Sequence, residues 1–315
     1  MTDVRNCFSS FFSSPRRIRP GMEEIVNKKV CKTLEFDKII DMLVEEADSA
    51  LGKDSARRLR PLSDRDEITA LQAETTHALT RIFHHGPLSF HGLTDIRPGL
   101  VPLSKGGTLG AGELLRIGAL LDVAERAVKY EAKDEETDFI SGRFSGLQTF
   151  PEILREIRRC ILSEEEISDD ASSELRRIRR TIKNTNDKVR EQLNATVNSS
   201  SEMLRDNLVT MRNGRYCLPV KQEYKSSFQG MIHDQSATGS TFFIEPMAIV
   251  KLNNELAELA MKEQEEIEKI LASISSLCAP EAEGLERNVI LLAELDFIFA
   301  KAKLSKKMQA SEKII

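Results

Sequence analysis

The stretch NLVTMRNGRYCLPVKQEYKSSFQGMIHDQSATGSTFFIE, residues 207–245, decides the fold of this chain. It alone reads as several consecutive strands. Asn213-Gly214 is a strong hairpin signal, because a type I′ turn needs positive φ at both central positions. Leu208–Met211 and Arg215–Lys221 flank that turn as strands. Pro219 has no N–H to give to a ladder, so its strand lies at an edge or carries an irregularity. Phe228–His233 and Thr241–Ile244 read as a second pair, joined by a turn that contains Gly239. A meander of four short strands cannot hold itself alone, so helices must anchor it.

Such helices are expected on both sides. Ser168 to about Asn207 reads as one long helix, with Leu175, Ile178, Ile182, Val189 and Leu193 as a heptad seam. Around the seam sit Arg176, Arg177, Arg179, Arg180, Lys183, Lys188 and Arg190, with Asp187 as the acid among them. That run is either a solvated helical face or a contact surface for a phosphate backbone. Pro246 suits a first helical position, and the return helix runs to about Cys278. Its seam is Ile249, Leu252, Leu256, Leu259, Ile267, Ile270, Ile274 and Leu277, interrupted by Glu263. An acidic face (Glu255, Glu258, Glu265, Glu266, Glu268) suits antiparallel pairing with the basic helix. About 32 residues at ~1.5 Å rise make each helix about 45–50 Å long.

The rest reads as helices broken by loops. One starts at Thr33 and uses Leu34, Ile39, Ile40, Leu43, Val44 and Ala47; a short piece spans 53–60. Ser63 or Asp64 caps a helix through Ile68, Leu71, Leu79 and Ile82. Residues 84–108 are loop-rich, and their His84, His85 and His91 lack companion ligands at a metal-site spacing. Gly107–Gly112 offers G-x-x-x-x-G, but Glu113-Leu114 stands where a phosphate loop needs Lys-Ser/Thr. A turn there opens a helix from Leu114 to Val128. After an acidic and a Gly/Ser-rich break, helices follow from Pro151 to Leu162 and, past the strands, from Glu281 to about Leu304.

Composition narrows the function. Charged residues make up 30% and aromatics 5%, with no Trp, which suits elongated helices better than one dense globule. A net charge of −5 gives no global attraction to nucleic acid, so any such binding needs a local patch. The five cysteines form no C-x-x-C pair, which points to reduced thiols and a cytoplasmic location. No apolar run is long enough to span a membrane. Residues 1–21 are rich in Ser, Phe and Arg with Asp3 as their acid. They read as a disordered extension before a natural start at Met22, with a transit peptide as the other reading. His233-Asp234 with Ser236 imitates a hydrolase triad, but neighbours on one strand point to different faces, and local turn bonding explains them better.

Three motifs, RNGRYCLPVKQEY, HDQSATGSTFFIEP and LNNEL, carry a resemblance. Together they look like the clamp of the second bacterial branch of the MutS family, endonuclease MutS Two. KTLEFDKII, LTDIRPGL, KGGTLGAGELL and LLAELDFIFAKAK extend the resemblance over residues 22–303. It implies a mainly α protein. A helical core or lever domain, 22–165 plus 279–315, would carry an inserted antiparallel two-helix arm, 166–278, tipped by a small antiparallel β clamp. The family pairs this part with an ATPase and a small MutS-related nuclease domain, works as a homodimer, and is linked to branched DNA, recombination suppression and stalled ribosomes. This sequence shows no Walker A motif and no nuclease domain, so no catalytic residue, metal or ATP site is expected in it; ATP and Mg belong to the missing downstream domain. The expected role is binding branched or duplex DNA through Arg176, Arg177, Arg179, Arg180 and Lys183 on the arm and Arg212, Arg215, Lys221 and Lys225 at the tip. Asn213, Gly214 and Gly239 shape the turns. The alternative is an arm that docks on a ribosome or a protein without binding DNA.

Overall fold

The computed structural model describes residues 28–134 and 136–311. The expected extension over 1–21 and the start at Met22 lie outside them. The described chain is mostly helical with one small antiparallel four-stranded sheet. Its helices are α1 (Lys28–Thr33), α2 (Phe36–Glu46), α3 (Ala50–Arg57), α4 (Arg65–His85), α5 (Arg97–Leu103), α6 (Ala111–Glu131), α7 (Ser141–Ser145), α8 (Pro151–Cys160), α9 (Ser173–Ser199), α10 (Val250–Cys278) and α11 (Ala282–Met308). Among the described residues, no helix is long and apolar enough to cross a membrane.

Two compact units form. One gathers the described residues through Thr94, then Arg126–Leu147 and those from Ile290 onward. Its helix starts follow capping chemistry: Asp64 accepts the Glu67 N–H at 3.0 Å to open α4. Ser49 caps α3, and the buried carboxylate of Asp296 accepts the N–H groups of Asp48 and Ser49 at 3.0 and 2.8 Å. Gly52 is required there, since a Cβ would collide with the Asp296 carboxylate. Phe90, Tyr130, Phe144 and Phe299 meet mostly edge to face in the core. Buried Arg81 reaches Asp138 and Ser141 at 2.8 Å each, and Glu131. The Gly/Ser-rich break holds α7, because Asp138 accepts the N–H groups of Ile140 and Ser141 at its start.

The second unit holds Asp95–Glu125 and Gln148–Val289. The loop-rich passage acquires α5 here, started by Pro98 in its first turn and by Asp95 accepting the Arg97 N–H. α9 and α10 lie antiparallel. Ser172, Arg179 and Thr185 meet Glu266, Glu263 and Glu255 in turn, at 2.8, 2.7 and 3.2 Å. The basic helix is shorter than the expected 168–207. Ser168 caps a separate 3-10 turn, Asp169–Ala171, and Ser172 then caps α9. At the other end Ser199-Ser200-Ser201 loosens the helix, since hydroxyl side chains compete for backbone bonds. Leu204 then runs extended into the core beneath the sheet. The 27 residues of α9 span about 40 Å. The apolar seam drifts, because a 3.6-residue helix does not hold a strict heptad. Ile182 is half-buried while Thr185 takes the buried place, and Leu277 is exposed while Ser275 and Cys278 are buried.

The sheet comprises β1 (Thr210–Arg212), β2 (Arg215–Lys221), β3 (Gly230–Gln235) and β4 (Thr241–Pro246). Its order is β1-β2-β4-β3, all antiparallel, and this corrects the expected meander. The reason is burial. TFFIEP of β4 is covered on both faces and takes a central place, while GMIHDQ of β3 is half polar and takes the edge. β2 is also interior. Pro219 sits where the β1 ladder has ended, and its carbonyl accepts the Arg205 N–H at 2.8 Å on that side. The missing proline donor therefore breaks no ladder bond. The inner face, with Leu218, Val220, Phe242 and Ile244, packs on Val189 and Leu193 of α9 and on Ile249.

Candidate nucleic-acid interface

The polar centre of the sheet is Glu245, which has no exposed surface. Its Oε1 accepts from Arg215 Nη1 at 2.9 Å and Asn253 Nδ2 at 2.7 Å, and its Oε2 lies 2.5 Å from His233 Nε2. Asn253 also bonds the N–H and the carbonyl of Tyr216, both at 3.3 Å. Arg215 Nη2 reaches Asn254 at 2.6 Å. The Tyr216 hydroxyl completes the tie to α9 by donating to Asn186 at 2.8 Å. Residues of β2, β3, β4 and α10 are thus locked around one carboxylate. A buried charge survives only with such partners.

This network relocates two sequence candidates. Arg215 is committed to Glu245, so its guanidinium serves the fold. His233 faces Glu245, whereas Asp234 pairs with Arg212 at 3.2 Å and Ser236 Oγ accepts the Thr241 N–H. The three residues that imitate a triad have three different partners. Cys217 lies beneath, its thiol pushed up to about 11 by burial and by the Glu245 charge. Sequence reasoning missed Glu245 and Asn253. The available signal was an acid inside the apolar run FFIEP and an amide pair inside the seam of the return helix.

The cations fall into two sets. Arg176 pairs with Asp170, and Arg177 with Glu174 at 2.6 Å. Arg179 is held by Asp169 at 2.6 Å, Glu263 at 2.7 Å and the Ile167 carbonyl at 2.7 Å. Burial works against its charge, but these bonds outweigh burial and hold the guanidinium above its ordinary value. Asp169 and Asp170 come from the turn just before α9, Glu174 from its first turn and Glu263 from α10, all outside the basic run itself. By contrast Arg180, Lys183, Lys188 and Arg190 are exposed and form no ion pair with the described residues. At about 100° per residue Arg180 lies opposite to buried Leu175, Ile178, Val189 and Leu193, Lys183 and Lys188 lie to either side of it, and Arg190 lies on the flank; exposed Asp187 and Glu191 share this outer side.

At the sheet, Arg212 stacks 4.0 Å over Phe243, and Lys225 sits 4.2 Å over Phe242. Lys221 donates to the Glu202 carbonyl at 2.8 Å. Asn213 and Gly214 have φ of 50° and 73°, the two positive values of the expected turn, and Gly239 has φ of 73°. Elsewhere His85 lies 2.8 Å from Asp134 and His91 3.8 Å from Asp48. Among the described residues, no group of three or more side chains is arranged to hold a metal ion.

No protein-family model matches the chain. Curated relatives do. The endonuclease MutS2 of Lachnoclostridium phytofermentans is 56% identical over 297 residues, covering 91% of this chain and 37% of that protein. That of Agathobacter rectalis is 51% identical over 286 residues, covering 89% and 36%. That of a Geobacillus species is 40% identical over 296 residues, covering 92% and 38%. The chain thus spans little more than a third of the length of the relatives it matches. These relatives place the chain in the MutS2 family, as a partial N-terminal region of it.

Proposed function

We propose that this region supplies binding rather than bond-breaking chemistry to a MutS2-type protein. Residues 166–278 act as an arm made of α9 and α10, and the sheet acts as the clamp at its end. The remainder, 22–165 with 279–315, acts as the lever that carries the arm. The ligand is the phosphate backbone of branched or duplex DNA, held without sequence readout.

One observation carries this reading: the exposed, unpaired cations Arg180, Lys183, Lys188 and Arg190 along the solvent-facing surface of α9. With exposed Asp187 and Glu191 on the same outer side, the four cations leave a local excess of positive charge in an acidic chain, and a polyanion is the complement of that excess. Lys225 and Lys221 extend the surface to the sheet. Arg176, Arg177 and Arg212 contribute only by exchanging their present carboxylates for phosphates; Arg179 and Arg215 hold the fold. ATP hydrolysis and nicking, in this reading, belong to the rest of the longer proteins. The test is a titration of a four-way junction and a duplex at low salt. Binding weakened by neutralising the four outward cations supports the reading. Equal binding by that variant, or ribosome co-sedimentation without DNA binding, replaces it with a docking arm.

A further inference from the structure

The first unit contains a pocket of about 540 Å³ between α4, the segment after α3, and the end of α11. That volume lies in the ~300–1,000 Å³ range of small-ligand sites, which join apolar walls to a few convergent polar groups. Leu62, Ile68, Leu71 and Leu79 supply apolar wall. Its polar lining comprises Thr75, whose hydroxyl donates to the Leu71 carbonyl at 2.9 Å, Thr76, Ser311, and three others: Lys301 and Ser305, one turn apart on α11, and Gln72 on α4. None of these last three side chains forms a hydrogen bond or ion pair with the described residues. Glu74 draws on the Lys301 charge, but its carboxylate is engaged by Arg143 at 2.7 Å. Lys301 is left with the Phe297 ring, 5.1 Å from its Nζ, as its partner. Burial therefore holds the Lys301 ammonium below the ordinary lysine range.

An apolar pocket with one unmatched cation and two free hydrogen-bonding groups complements an apolar monoanion. We propose that it binds a medium-chain aliphatic carboxylate, with the carboxylate on Lys301, Gln72 and Ser305 and the tail among the leucines. No property of the DNA-binding reading enters this assignment.

The test titrates the full chain with hexanoate, octanoate, decanoate and decanol by calorimetry. Affinity should rise about fourfold per added methylene. Decanoate should bind at least about tenfold tighter than decanol, a charge-assisted pairing. Lys301→Met should erase that preference, and Leu71→Trp should abolish binding of both. In the wild-type chain, decanoate should also protect Lys301 from acetylation, read by mass spectrometry, which does not depend on a variant folding. Decanol binding as tightly as decanoate, undiminished decanoate binding by Lys301→Met, or unprotected Lys301 would each overturn the proposal.

Discussion

Asn253 donates from Nδ2 to Oε1 of Glu245 at 2.7 Å, and both side chains are buried. Through this bond the first turn of α10 reads the centre of the sheet. Removing one partner of a buried charged cluster leaves the others unmatched. Glu245→Ala should therefore destabilise the chain by about 3–5 kcal/mol, since Arg215 and His233 lose their anion. Asn253→Ala should cost about 1–3 kcal/mol, the penalty for unsatisfied buried groups. Denaturant unfolding measures both, and the double variant should lose less than the sum. A loss under about 1 kcal/mol for Glu245→Ala would show that the network does not hold the sheet.

Gly230 opens β3 against the backbone of β4, opposite Pro246. A Cβ there would collide with the Glu245 carbonyl and with Ile244. Gly230→Ala should destabilise by about 1–3 kcal/mol through overpacking. Amide exchange should rise first in β3, the edge strand. Faster exchange in α9 with β3 unchanged would contradict the strand order found here.

Acid should weaken the first unit partly through Asp48. Burial opposes its ionisation, but the Lys303 bond at 2.8 Å and the Phe90 N–H at 2.9 Å outweigh burial and hold the carboxyl below its ordinary 3.8. A folded value below the unfolded one means the stabilisation is complete above 3.8 and lost as pH falls through the folded value. Unfolding free energy should therefore fall more steeply for wild type than for Asp48→Asn between about pH 4 and pH 2. Parallel curves would remove Asp48 from the acid response.

Local chemistry was the most legible part of the sequence. Asn213-Gly214 announced its turn, and Asp64 announced the start of α4. Cys278 ends α10 where the apolar pattern stops. Non-local choices were not legible. The order β1-β2-β4-β3 depends on which strand is covered on both faces, and FFIE reveals that only once α10 is in place. The heptad reading failed at Leu277 because the helix drifts and Ser275 Oγ accepts the Leu109 N–H from 166 residues away. The candidate cations were visible as a run, but their sorting was not. Asp169, Asp170 and Glu174 precede the run, and Glu263 arrives from α10, so only three-dimensional pairing separates Arg176, Arg177 and Arg179 from Arg180 and Lys183.

The most direct test is the salt dependence of four-way-junction binding by the wild type and by a variant carrying Arg180→Gln, Lys183→Gln, Lys188→Gln and Arg190→Gln. Each phosphate contact to duplex DNA contributes about 0.9 to the slope of log affinity against log salt. The four cations therefore predict a slope smaller in magnitude by about 3.6 in the variant, with helical content unchanged. Arg176→Gln with Arg177→Gln should change the slope by less than two such contacts, about 1.8, because those side chains already hold carboxylates. An unchanged slope in the four-residue variant would contradict the assignment of the outward face of α9 to the DNA backbone.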